Sequence, residues 1–307
     1  LDDVAHGDSI MSLRDTLWIA ACGLAAVAVP CRADEVRPLH VEGYAGKVSC
    51  RAGEEMPLHV STTAGTFSVE IARLGADRQV VFTKAGIAGR ESPIPDKASA
   101  NGCGWPVLLT VPVPREWKSG YYMVTFKAED HGGKYVHRGH RTATSTCFFI
   151  VRAATPGANT KILIQLSTNT YNAYNNWGGH CLYSFNDRAG IQGQRVSFRR
   201  PPGSQFPLWE QPFVAWAEAN GYTLDYAANS DLEFHPEELA AYRLVLSVGH
   251  DEYWSTPMRD ALEAFIGKGG NAAFFSGNTC CWQVRSEDGG SALTCWKQQY
   301  MMDPVFQ

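Results

Sequence analysis

The sequence is short of charge. It carries 27 Lys and Arg and 31 Asp and Glu among 307 residues, 19% in all, against about 25% in typical soluble domains. A net charge of −4 gives no basic footprint, so nucleic acid is not an expected partner. No apolar run reaches the roughly 18 residues that a spanning helix needs. There is no HExxH pair, no EF-hand loop and no CxxC spacing, which excludes the commonest zinc and calcium sites. No repeat period is present, which excludes solenoids and propellers. What the sequence has is apolar and aromatic mass: 45% hydrophobic residues, with 9 Trp, 12 Tyr and 14 Phe. A disordered chain would be apolar-poor and strongly charged.

The first ten residues precede Met11 and read as upstream sequence. From Met11, a short segment with Arg14 leads into the apolar run Leu17–Val29 and then Pro30-Cys31-Arg32-Ala33. This is the pattern of a signal peptide, with small residues placed for cleavage after Ala33. The alternative is a buried helix of the mature fold. Residues 1–33 are therefore expected to be an extension plus signal, and the mature protein to be secreted or periplasmic, off the membrane after cleavage. Cys22 and Cys31 leave with the signal. Seven cysteines remain, an odd number, so at least one is free or pairs elsewhere.

Residues 37–153 predict many short strands, among them Glu55–Ser61, Phe67–Arg73, Gln79–Thr83, Val107–Val111, Tyr121–Lys127 and Thr146–Val151. They are rich in Val, Thr and aromatics and broken by Gly and Pro, as in an all-β, Ig-like sandwich domain. A linker follows at Ala153–Ala158. From residue 160 the period changes. Strands are expected at Lys161–Leu166, Thr223–Ala227, Arg243–Val248 and Asn271–Phe275. Helices are expected at Glu210–Gly221, with Phe213, Val214, Trp216 and Ala217 on one face, and at Pro236–Tyr242. The clearest helix is capped by Ser255, with Pro257 in its first turn. Its stripe is Met258, Ala261, Leu262, Phe265 and Ile266. Strands alternating with helices predict an α/β domain over 160–307 with a mostly parallel sheet.

In such sheets ligands bind beyond the carboxyl ends of the strands. Three loops there are polar and aromatic: Ser167–Gly179, Gly249–Ser255 and Ser276–Trp282. His250-Asp251-Glu252 can serve as metal ligands or as an acid and base, or as a helix-entry loop whose acids suit the helix dipole. Cys280-Cys281 can supply a nucleophile, but the bulky Trp282 and the missing elbow glycine favour a structural thiol. Tyrosines are normally packing residues, yet a phenolate is a hard anionic donor suited to ferric iron.

These residues carry a resemblance. Thr170-Tyr171-Asn-Ala-Tyr174-Asn-Asn-Trp177-Gly-Gly with Leu182-Tyr183, Gly249-His250-Asp251-Glu252-Tyr253-Trp254-Ser255, and Phe274-Phe275-Ser276-Gly277-Asn278-Thr279-Cys280 resemble the large (beta) subunit of N,N-dimethylformamidase and its relatives. Glu42-Gly43-Tyr44, Gly102-Cys103-Gly104-Trp105-Pro106 and Trp117-Lys118-Ser119-Gly120-Tyr121-Tyr122 fit it as well. The resemblance implies a mononuclear iron amidohydrolase whose metal is held by two tyrosines and a glutamate. The glutamate matches Glu252, one tyrosine Tyr122, and the other Tyr171, with Tyr174 as the alternative. It further implies His250, Asn278 and Lys297 around the iron. It also implies an α/β domain continuing past Gln307, so that this one is expected to be truncated at its C-terminus.

The expected activity is hydrolysis of the C–N bond of a small amide. A metal with open positions polarises the carbonyl and binds a water, His250 or Lys297 relays a proton, and Asn278 steadies the oxyanion. The alternative is a secreted, non-catalytic sugar- or peptide-binding protein on the same scaffold. Assembly as a homo-oligomer or with a small partner subunit is left open.

Overall fold

The computed structural model describes residues 38–130, 141–184, 190 and 192–306. The signal-peptide reading of residues 11–33 lies outside them. Residues 37–307 form one compact unit. The chain is β-rich and, among the described residues, its strands form four sheets.

The first half runs β1 (Val41–Ala45), β2 (Ser49–Arg51), β3 (Glu55–Thr62), β4 (Thr66–Leu74), β5 (Arg78–Ala88), a one-turn helix α1 (Ala98–Asn101), β6 (Val107–Pro112), β7 (Gly120–Asp130) and β8 (Arg141–Arg152). Each predicted strand falls within one of these. Pairing gives a three-stranded sheet ordered β1-β3-β6 and a five-stranded sheet ordered β2-β8-β7-β4-β5. Alternate side chains of both sheets meet in one core. Met56, Leu58 and Val60 come from β3, Val69 and Ile71 from β4, and Tyr122, Val124 and Phe126 from β7.

β8 shows how this half joins the rest. Its first six residues alternate between half-buried and exposed, and every residue from Cys147 onward is buried. A strand with one face in water alternates, whereas a strand covered on both faces does not. Phe149 and Val151 enter the core between the two sheets. Phe148 and Ile150 point the other way, together with Tyr121, into a second core. Ile164, Leu166, Tyr171, Phe206, Val214 and Tyr226 complete that core. The predicted linker therefore joins halves that share a continuous apolar interior.

The second half runs β9 (Ile162–Leu166), α2 (Thr168–Tyr174), β10 (Arg195–Ser197), α3 (Glu210–Ala219), β11 (Asp225–Ala228), α4 (Asn229–Phe234), β12 (Leu244–His250), β13 (Tyr253–Ser255), α5 (Thr256–Gly267), β14 (Asn271–Gly277), β15 (Trp282–Glu287) and β16 (Ala292–Thr294). A 3-10 turn covers Pro236–Ala241, where a short helix is expected. The sheet β11-β9-β12-β14 is parallel throughout. A smaller sheet, β10-β16-β15-β13, which the sequence reading does not anticipate, lies beside it in sequence.

The helix stripes differ from expectation at single positions. In α3 the buried residues are Glu210, Val214 and Ala217, and Trp216 is 55% exposed. Residues 210, 214 and 217 repeat at i, i+4 and i+7, and 216 falls off that face. In α5 the Ser255 side chain accepts from the Met258 N–H, as the cap predicts, and Met258, Leu262 and Phe265 are buried. Ile266 lies at the margin, 44% exposed. No disulfide joins any of the seven cysteines among the described residues; Cys280 and Cys281 are exposed and the other five buried.

Candidate active site at the carboxyl edge of the parallel sheet

β9, β12 and β14 are neighbours running in the same direction, so the segments that follow them leave from one edge. The segment after β9 is not a loop but the helix α2. Its residues are Thr, Asn, Tyr and Ala, mostly weak helix formers, and their side chains bind to other elements instead of water. The Asn169 side chain donates to the Tyr253 carbonyl at 3.2 Å, and Thr170 Oγ1 accepts from the Glu252 N–H at 3.0 Å. Below it lies Arg200, fully buried. Its guanidinium donates to the carbonyls of Ser197 (2.9 Å), Trp177 and Asn172 (3.3 Å) and to Asn172 Oδ1 (3.1 Å). Burial lowers its pKa to about 10.

The centre of the group is Glu252, 4% exposed. Tyr183 donates its hydroxyl to Glu252 Oε1 at 2.6 Å, and Tyr174 donates to Oε2 at 2.9 Å. The two rings stack with centroids 4.3 Å apart. His250 Nε2 lies 3.3 Å from Glu252 Oε2 and 3.2 Å from the Asn278 side-chain nitrogen. Asn278 adopts a left-handed backbone, φ 48°, in the turn after β14. That turn is tied back by Cys280 N–H to the Asp251 carbonyl (3.0 Å) and Trp282 N–H to the Glu252 carbonyl (2.9 Å). Asp251 points the opposite way from Glu252. It is buried and accepts from Ser247 (2.7 Å), Asn229 (3.2 Å) and Gln165, and burial raises its carboxyl to about 6.

Lys297 closes the other side. Its ammonium sits 3.2 Å from the centroid of the Tyr183 ring and about as close to Tyr253 (5.0 Å) as to Trp282 (5.2 Å). It is 7% exposed and has no hydrogen-bond partner among the described residues. Burial lowers its pKa to about 8. The same desolvation raises the Tyr174 phenol to about 12 and shifts Tyr183 and Tyr253 upward. Glu252 hydrogen bonds reinforce the rise at Tyr174 and Tyr183, since they hold the phenols in their protonated form.

The structure thus brings together His250, Glu252, Asn278, Lys297 and Tyr174. It does not bring Tyr122 or Tyr171 to Glu252. Tyr122 faces inward on β7, stacked on Trp117 and Phe149, and its hydroxyl donates to the Lys118 carbonyl at 2.6 Å. Tyr171 lies one turn before Tyr174 on α2, where its hydroxyl is taken by the buried carboxylate of Glu210. Tyr183, a residue of the Leu182-Tyr183 motif to which the sequence gives no role, supplies the second phenol beside Glu252. Its place just past the Gly178-Gly179 turn is the signal that was available. A separate group, His235, Glu237 and Glu238, has ligand atoms within 4.8 Å of one another, but Glu238 is held by Arg51 and Arg152.

Comparison with known proteins bears on this arrangement. Residues 68–304 match the family model "N,N-dimethylformamidase beta subunit-like, C-terminal". The N,N-dimethylformamidase beta subunit of an Alcaligenes species is 26% identical over 214 residues, which is 59% of this chain and 28% of that protein. The chain thus spans under a third of the length of this relative. Among solved structures, a β-D-glucuronidase of Dictyoglomus thermophilum matches at 9% identity and a TM-score of 0.18, over 75% of this chain and 42% of that one. A family 123 glycoside hydrolase of Clostridium perfringens matches at 8% and 0.15, over 77% and 72%. Neither likeness is close enough to bear on fold or function. With its model match running through every site residue described above, the chain belongs to the N,N-dimethylformamidase beta subunit-like family.

Proposed function

We propose that this chain holds the iron site of an amidohydrolase that cleaves the C–N bond of a small amide. One observation carries the reading: a buried carboxylate, Glu252, bracketed by the hydroxyls of Tyr174 and Tyr183, with His250 at 3.3 Å. The donor set fits a ferric ion, because two phenolates and a carboxylate are hard anionic oxygens that nearly cancel its charge. Tyr174, Tyr183 and Glu252 would hold it. When bound, it supplies Lewis acidity toward a carbonyl and toward a water.

The chain's own residues do the rest. His250 Nε2 lies between the Asn278 side chain and Glu252. As the neutral Nδ1–H tautomer it accepts from the Asn278 amide, and once protonated it donates to Glu252. A proton can therefore be kept at Nε2 and passed to a leaving amine. Lys297, a cation facing aromatic rings, places positive charge beside the reacting carbonyl. The fold reading that goes with this is an Ig-like sandwich over 37–153 joined to an α/β domain over 160–307. Export by the signal at residues 11–33 goes with it, as does assembly with a further subunit, since the Alcaligenes relative is itself a beta subunit.

The test is iron content and amide hydrolysis of the protein, wild type and Glu252→Ala. Stoichiometric iron with a tyrosinate-to-iron absorption band, lost in the variant together with amine release from dimethylformamide, is the expected result. A wild-type protein that takes up no iron, or a variant that keeps both, would overturn the reading.

A further inference from the structure

A cavity of 390 Å³ has Lys297 and Trp282 in its wall, two of the residues that flank the Glu252 group. Three other cavities, lined around Ser230, Ala264 and Asn159, touch none of the site residues. Four of the eleven residues lining the first cavity are aromatic, Trp282, Trp296, Tyr300 and Phe306, with Tyr300 and Phe306 packed edge to face at 5.0 Å.

Its polar groups are selective. Arg285 and Asp303 both line it, but they neutralise each other through two hydrogen bonds of 2.6 and 2.8 Å. The Lys297 ammonium, which rests on the Tyr183 ring, and the Trp296 indole N–H are buried and make no hydrogen bond among the described residues. Both are donors, and neither group can accept. A cavity with four aromatic residues in its wall and two donors that make no hydrogen bond suits a flat apolar group that bears an acceptor oxygen. A ligand pocket of this kind starts at about 300 Å³, so an amide with only methyl substituents would leave it largely empty.

We propose that this cavity receives the aromatic substituent of an aryl amide, with the amide carbonyl presented past Lys297 toward Glu252. The substrate class is then an aromatic amide in place of, or beside, a small aliphatic one. This inference rests on the hydrolase reading above for the role of the amide group, but not for binding in the cavity.

The experiment is fluorescence titration of the metal-free protein with benzamide and with acetamide. Trp282 and Trp296 are the reporters, and Trp296→Ala and Phe306→Ala the variants. Benzamide is expected to bind at least tenfold more tightly than acetamide. Each variant is expected to weaken benzamide at least fivefold and to leave acetamide unchanged. Phe306 is 58% exposed, so its variant keeps the test sound if the Trp296 variant fails to fold. Equal affinity for the two amides, or full benzamide affinity in Phe306→Ala, would overturn the proposal. Iron-loaded protein separates the two readings. Hydrolysis of a small amide without benzamide binding sinks the cavity alone. Benzamide binding sensitive to Phe306→Ala, with no hydrolysis of any amide, keeps the cavity and sinks the hydrolase.

Discussion

Tyr183 donates its hydroxyl to Glu252 at 2.6 Å while its ring face takes the ammonium of Lys297 at 3.2 Å. One side chain thus couples the carboxylate of the site to its cation. Removing the hydroxyl alone tests the coupling. Tyr183→Phe keeps the ring under Lys297 and is expected to lower iron affinity at least tenfold, as is Tyr174→Phe. Tyr122→Phe and Tyr171→Phe should keep iron and lose about 1 kcal/mol of stability each, the worth of a buried hydrogen bond. Iron titration of the four variants decides. Iron loss in Tyr122→Phe with none in Tyr183→Phe would reassign the ligands.

The carboxyl of Glu210 is fully buried beside Tyr171, and burial raises it from 4.5 to about 7. For an acid raised on folding, the folded state keeps its proton while the unfolded state releases it. Stability from this group is therefore full below 4.5 and falls as pH rises toward 7, by on the order of 3 kcal/mol. Glu210→Gln keeps an acceptor for Tyr171 and cannot ionise. Urea unfolding near pH 5 and near pH 8 should show the variant gaining on the wild type at the higher pH. A difference between the two proteins that does not change with pH would refute the assignment.

Arg200 holds the carbonyls of Asn172, Ser197 and Trp177 from one planar fork. Lysine cannot reach several carbonyls at once and is a poor substitute at a bidentate site. Arg200→Lys is expected to cost 2 kcal/mol or more, roughly the value for unsatisfied buried polar groups. It should also weaken iron binding, because Asn172 lies two residues before Tyr174. Thermal melts and iron titration measure the two effects. An unchanged melting temperature would show that Arg200 does not fix α2.

Gly249 precedes His250 with φ 91°, and a Cβ there would meet the Trp209 Cβ at 2.5 Å. Gly249→Ala must therefore shift α3 or twist the end of β12. A loss of roughly 1–3 kcal/mol is expected from the overpacking, with a fall in activity larger than that for Gly267→Ala, which meets nothing within 4 Å. Equal behaviour of the two variants would contradict the close approach.

The strands and the capped helix α5 were legible because their signals are local: alternation, turn residues, and Ser255 before Pro257. The carboxyl-edge rule placed His250, Glu252 and Asn278 near one another because the order of strand and helix already implies that edge. Motif matching assigns Tyr122 and Tyr171 without telling which way a side chain points, and neither hydroxyl bonds to Glu252 here. Alternation turns Tyr122 inward on β7, and one turn of helix separates Tyr171 from Tyr174. Sequence alone makes α2 a loop, because its Asn and Thr residues disfavour a helix locally. Their stabilisation comes from Tyr253, Glu252, Val196 and Asn229, all distant in sequence.

The doubly covered end of β8 has a practical corollary. Phe148 and Ile150 sit in a core most of whose members lie beyond residue 160, so the first half expressed alone would present an oily face to water, and so would the second. Attempts to treat either half as an interchangeable module should yield insoluble material. Any homologue that inherited one without the other would have needed to resurface that seam.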